Sequence, residues 1–160
     1  MSDFPDLFHR LAECRRPIAI WGTGDGADKL FAVLKRINVR PSAVFASDGF
    51  VRDRSFHSFP VLSYADVCRE YPDCTVLLAF GSRLPEVIGN VRRVAAEREL
   101  YVPDLPVAGE TLFDAAFVAE HRGEFDEARS LLADEASRRL FDSIITARLH
   151  GDLPSLEAAV

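Results

Sequence analysis

The sequence holds little of what would make its function easy to name. Cys14, Cys68 and Cys74 are its only cysteines, irregularly spaced, so neither a disulfide framework nor a zinc site is expected. Free thiols fit a reducing, cytoplasmic setting. His57 sits nearest Cys68 and Cys74 in sequence, but the spacing is unlike that of metal sites, and no metal ligand set is expected. No apolar run approaches the roughly 20 residues that a bilayer span requires, and no membrane partner is expected. The opening fifteen residues carry Asp3, Asp6 and Glu13 and lack a continuous apolar core, so no secretory signal is read there. Basic residues do not gather into a stripe, which argues against nucleic acid as a partner. G-x-S-x-G and H-E-x-x-H are both missing.

Charge is unevenly spread. Residues 1–103 hold 14 basic and 13 acidic side chains, whereas residues 104–160 hold 5 and 12. The shift predicts a boundary near Asp104, between an α/β domain (1–103) and an acidic helical tail or connector (104–160).

The most informative stretch is Pro17-Ile18-Ala19-Ile20-Trp21-Gly22-Thr23-Gly24-Asp25-Gly26-Ala27. It reads as an uncharged strand entering a glycine turn and then a helix starting near Asp25. Gly22, Gly24 and Ala27 match the G-x-G-x-x-G/A pattern of a Rossmann-type βα turn. Small residues let the chain turn tightly and approach a ligand, while the helix start offers free N–H groups and a positive dipole end. Gly22, Thr23, Gly24, Asp25 and Gly26 are therefore the expected phosphate turn. Asp48 lies 22 residues beyond Gly26 and is the expected partner of a ribose or sugar hydroxyl.

Alternating apolar runs and helical periods extend the pattern. Strands are expected at Ile18–Trp21, Ala43–Ala46, Phe59–Leu62, Thr75–Phe80 and Leu100–Val102. Helices are expected over residues 4–14, Asp25–Ile37, Tyr64–Glu70 and Pro85–Glu97, with Ser2 or Asp3 capping the first, whose expected place is an edge of the sheet. In the fourth, Val87, Ile88, Val91, Val94 and Ala95 are expected to be buried. Phe50–Ser58 reads as a loop. The fold expected is α/β, a Rossmann-like three-layer parallel sheet of about five strands in the order 3-2-1-4-5. Ser82, in the turn after the fourth strand, is expected to line the ligand side. Beyond Pro106 only helices are expected, over Leu112–His121, Phe125–Leu132 and Ala136–Leu149, the last stopped by Gly151.

Several ligands are compatible with such a turn. Gly22-x-Gly24-x-Gly26 also fits the S-adenosylmethionine pattern, but Ile20 stands where those enzymes carry an acid. A small NAD(P)-dependent oxidoreductase would need an acid–base residue. None of Tyr64, Tyr71 and Tyr101 is followed by lysine at the Tyr-x-x-x-Lys offset. A nucleotide or nucleotide-sugar remains, with Arg52, Arg54 or Arg83 able to meet a diphosphate.

Three stretches carry a family resemblance: Ile18-Ala19-Ile20-Trp21-Gly22-Thr23-Gly24, Phe59-Pro60-Val61-Leu62-Ser63 and the strand Thr75–Phe80. The tail, Leu131-Leu132-Ala133-Asp134-Glu135-Ala136-Ser137-Arg138-Arg139-Leu140-Phe141 with Arg148-Leu149-His150-Gly151-Asp152, is the most distinctive part. With them, the chain resembles the N-terminal portion and helical connector of FkbM-family-like bacterial methyltransferases. The resemblance implies an accessory domain that binds a nucleotide or sugar-nucleotide. Methyl transfer, and S-adenosylmethionine with it, would belong to a second Rossmann-like domain outside this sequence. A methyltransferase domain, or a second copy held through the helical tail, is the partner it implies. The other expectation is an interaction or dimerisation module that binds no small ligand.

Overall fold

The computed structural model describes residues 6–47 and 55–158. The chain divides into two compact units, Cys14–Val102 and a second that joins Met1–Glu13 to Pro103–Val160.

The first unit is a six-stranded, mostly parallel sheet with helices. Its strands are β1 (Ile18–Trp21), β2 (Ala43–Phe45), β3 (Ser55–Phe56), β4 (Phe59–Leu62), β5 (Thr75–Leu78) and β6 (Leu100–Tyr101), in the order β3-β4-β2-β1-β5-β6. Pairing of β1 with β2, β5 with β6 and β2 with β4 is parallel, and Trp21 stands opposite Phe45 on one side and Leu78 on the other. The five expected strands take their expected order. The correction is at the edge, where the segment read as a loop contributes β3, antiparallel to β4. A two-residue turn, His57-Ser58, joins that hairpin with both residues at positive φ (48° and 67°). Asparagine and glycine usually fill such turns, and their absence hid the hairpin.

β1, β2 and β5 are buried on both faces, as uncharged central strands should be. Between strands run α2 (Asp25–Arg36), α3 (Tyr64–Glu70) and α4 (Pro85–Glu97). α2 leads from β1 toward β2, whereas α3 and α4 carry the chain the other way. Right-handed crossovers thus put α2 on one face and α3 and α4 on the other. Ile20, Leu30, Leu34, Val44, Phe45, Val67, Val76, Leu77 and Val94 form the closed core. α2 ends through Asn38 at φ 57°, with Val39 N–H donating to the Leu34 carbonyl and Asn38 N–H to that of Lys35, a closure that spares the last carbonyls. α3 starts at Ser63, whose hydroxyl oxygen accepts from Asp66 N–H.

The second unit holds α1 (Leu7–Glu13), α5 (Ala115–Glu120), α6 (Arg122–Ser130), α7 (Glu135–His150) and α8 (Leu153–Ala158). Ser2 and Asp3, expected as caps, lie outside the described residues. Asp6 fills the role instead: one carboxylate oxygen accepts from His9 N–H at 2.8 Å and the other from Ala115 N–H at 2.8 Å, so it serves two helix starts. That bond ties α1 to α5 within the helical unit. Phe113, Phe117, Phe125 and Phe141 form an aromatic chain between α5, α6 and α7. Arg148 lies 3.8 Å over the Phe113 ring and donates to Asp104 at 2.7 Å. Gly151, at φ 63°, closes α7, and the chain then forms α8, a helix the periodicity did not show. Among the described residues no helix is long and apolar enough to cross a membrane.

Candidate functional site

In a doubly wound sheet, ligands lie beyond the carboxyl ends of neighbouring strands whose connections leave in opposite directions. Here those strands are β1 and β5. The turn Gly22–Gly24 leaves one, and the segment Ala79–Leu84 leaves the other.

The small residues of the first turn divide the labour. Gly22 has φ +126°, and its N–H donates to the Phe45 carbonyl at 2.9 Å; a side chain there would be strained and would meet Phe80 at 3.1 Å. Gly26 sits so close to β5's continuation that a Cβ would lie 2.2 Å from the Ala79 carbonyl oxygen. Ala27, fully buried, completes the helix-to-sheet contact. Gly24 differs from both: it is the residue preceding α2, extended at φ −107°, ψ −165°, and a Cβ there would meet nothing within 4 Å. Gly22 and Gly26 therefore build the turn, while Gly24 faces open space.

The N–H groups of Asp25 and Gly26 have no acceptor among the described residues, as the first turn of a helix requires. Two carboxylates also stand at this positive dipole end. Asp25 pairs with Lys29 at 2.9 Å, and Asp28 with the His57 ring at 2.7 Å. Thr23 and Asp25 are exposed. An incoming ligand thus meets amide donors beside the Asp25 carboxylate, which can accept from a hydroxyl. Asp48, together with Arg52 and Arg54, lies outside the described residues.

Across the switch point, Ser82 is exposed, and its hydroxyl oxygen accepts from Leu84 N–H at 3.2 Å. Gly81 opens onto free space, like Gly24. Arg83 is exposed, with no hydrogen-bond or ion-pair partner among the described residues. Pro85 starts α4, where a missing N–H costs nothing. Only the later part of α4 is covered: Val91 and Val94 are buried, whereas Ile88, expected inside, is 37% exposed. Beneath the turn the core is aromatic. Trp21 stacks on Phe45 at 5.4 Å, meets Phe80 edge-on at 5.6 Å and donates its indole N–H to the Ser47 hydroxyl at 3.3 Å.

The pair that sequence reasoning missed is Asp28 and His57. Their hydrogen bond joins residues 29 apart, and the His57 ring also stacks on Phe31 at 4.4 Å, docking the β3–β4 hairpin on α2. A positive-φ histidine in a two-residue turn carries no signal in hydropathy. At the start of α3, Tyr64 donates to Glu97 at 2.8 Å, and partial burial, then that carboxylate, raises its hydroxyl pKa above the usual tyrosine range. The Ser63 hydroxyl and the Arg69 guanidinium hold Asp66 below the usual carboxylate range. Both are structural contacts of α3.

The fold and the paired turns define a Rossmann-like α/β unit with an open β1–α2 turn. No protein-family model, no curated protein and no solved structure matches this chain.

Proposed function

We propose that the sheet unit binds a nucleotide or nucleotide-sugar at the β1–α2 turn, as the accessory domain of an FkbM-like methyltransferase. The observation that carries the reading is the contrast among the glycines. Two are required by the turn itself, and the third opens outward beside unpaired N–H groups. In this reading a phosphate takes the N–H groups at Gly24–Gly26, with Gly22 and Thr23 shaping the approach. Asp25 and Asp48 accept from ribose or sugar hydroxyls, and Ser82 borders the second turn. Methyl transfer is left to a separate domain, in keeping with the resemblance of the tail. Calorimetric titration with NAD, a UDP-sugar and S-adenosylmethionine tests this. A nucleotide should bind the native chain and fail to bind Gly24→Val, whose melting temperature should stay close to native. Silence from all three overturns the reading.

A second reading, a protein-interaction module, draws on a separate observation. On α7, Leu140 and Ile144 are 46% and 40% exposed one turn apart, and Leu131 is 80% exposed. Phe141 faces inward against Phe125, so replacing it would damage the tail itself. Ile144→Asp is the better probe. A loss of self-association on sedimentation, with no nucleotide bound, favours this second reading.

A further inference from the structure

The start of α4 is unusual for a helix laid on a sheet. Every residue from Gly81 to Asn90 is exposed except Val87, which is half-buried. Two of the exposed ones are large and apolar: Leu84 at 58% and Ile88 at 37%. Leu84 is the residue preceding α4, and Ile88 N–H donates to its carbonyl at 3.0 Å, so the two stand one turn apart at the start of the helix. Arg92, one turn further on, ends the stripe. Arg83 immediately precedes the spot, its guanidinium unpartnered among the described residues. The whole segment leaves β5 at the switch point, beside the strand that delivers the glycine turn.

We propose that Leu84 and Ile88 form the wall that receives the base of a nucleoside diphosphate, with Arg83 meeting its phosphates. The proposal rests on the nucleotide reading above and narrows it to a ligand class. Charge complementarity favours an anionic group at Arg83. The size of the spot favours one ring system over an extended acyl or isoprenoid chain, because a chain needs an apolar stripe several turns long. The aliphatic pair covers a planar base, while the open turn at Gly24 leaves room for the phosphates.

Calorimetry on the full chain with inorganic pyrophosphate, ADP, UDP and farnesyl diphosphate separates the terms. ADP or UDP should bind roughly tenfold more tightly than pyrophosphate, the gain expected from covering about 50 Å² of apolar surface. The Leu84→Ser/Ile88→Ser variant should erase that gain and leave pyrophosphate binding unchanged. Leu84 is 58% and Ile88 37% exposed, so its melting temperature should fall by no more than a few degrees. Arg83→Ala should weaken all of these ligands. Equal binding of pyrophosphate and the nucleotides, or a gain that survives the double serine change, overturns the wall and leaves the turn standing. Farnesyl diphosphate binding more tightly than either nucleotide, through the same residues, also overturns it. If pyrophosphate and both nucleotides fail to bind, the nucleotide reading falls and takes this inference with it.

Discussion

Gly26→Ala isolates the steric demand at the centre of this fold. In an exposed helix, replacing glycine by alanine stabilises by about 1 kcal/mol. Here the added carbon would lie 2.2 Å from the Ala79 carbonyl oxygen and 3.1 Å from its carbon. Both neighbours are backbone of the segment that continues β5, so no rotamer change relieves the contact. The first turn of α2 must retreat by roughly 1 Å, loosening the closed packing of Leu30 and Leu34 behind it. Overpacking of this kind costs about 1–3 kcal/mol, and more where backbone meets backbone. The net effect expected is destabilisation by about 2 kcal/mol despite the gain in helix propensity. Gly24→Val is the control: its side chain enters open space, and the cost is that of a poorer residue at the helix start, within about 1 kcal/mol. Urea unfolding followed by Trp21 fluorescence measures both, since Trp21 lies on the neighbouring strand. A Gly26→Ala protein as stable as the native chain, or more so, would refute the argument. It would mean that α2 can lift off β5 at no cost, and that Gly26 is free to serve a ligand.

Two further outcomes concern the helical unit. Asp6→Ala should destabilise it by about 2 kcal/mol, because one buried carboxylate serves both His9 N–H and Ala115 N–H. Asp6→Asn should restore only part of the loss, since its amide nitrogen would face one of those donors. Thermal unfolding followed by the far-ultraviolet helix signal reads both, and an unchanged Asp6→Ala transition would sink the claim. α7 should also be sensitive to acid. Asp134 titrates below the usual carboxylate range because Ser137 N–H donates to it, and Asp142 does so because of Arg129. A lowered folded pKa adds stability that is fully present above the ordinary carboxylate value of about 4 and is lost as pH falls through the lower folded values. Helix signal should therefore fall as pH drops below about 4, and less steeply in Asp134→Asn/Asp142→Asn; identical profiles would exclude these two groups.

The physics of the β1–α2 turn also limits what the site can prefer. A helix start attracts anions through its amides and dipole, but Asp25 and Asp28 already stand there with Lys29 and His57 as partners. A bare polyanion meets those carboxylates at close quarters. On the proposed reading, a ligand that brings hydroxyls beside its phosphate would satisfy them, and a nucleotide or nucleotide-sugar should bind more tightly than inorganic phosphate.

Much of this molecule was legible in its residues. Uncharged runs at Ile18–Trp21 and Thr75–Leu78 can only be strands buried on both faces. The alternation of such runs with amphipathic helices points to a parallel sheet with right-handed crossovers; the order of its five strands, expected partly by analogy, is the one the sheet has. Glycines at 22, 24 and 26 marked the turn. Their separate roles were not legible, because a composition pattern does not say which glycine touches Ala79 and which faces outward. The hairpin at His57-Ser58 was hidden for a related reason. Its positive-φ residues are held by a bond to Asp28 and a stack on Phe31, contacts that exist only once α2 is folded. Ile88 fits a buried helical period, yet it is exposed, because only the later part of α4 reaches the sheet. Local chemistry thus determined most of the elements; the edge hairpin, which side chains close the core and which are left open were decided by distances between elements, which no spacing along the chain encodes.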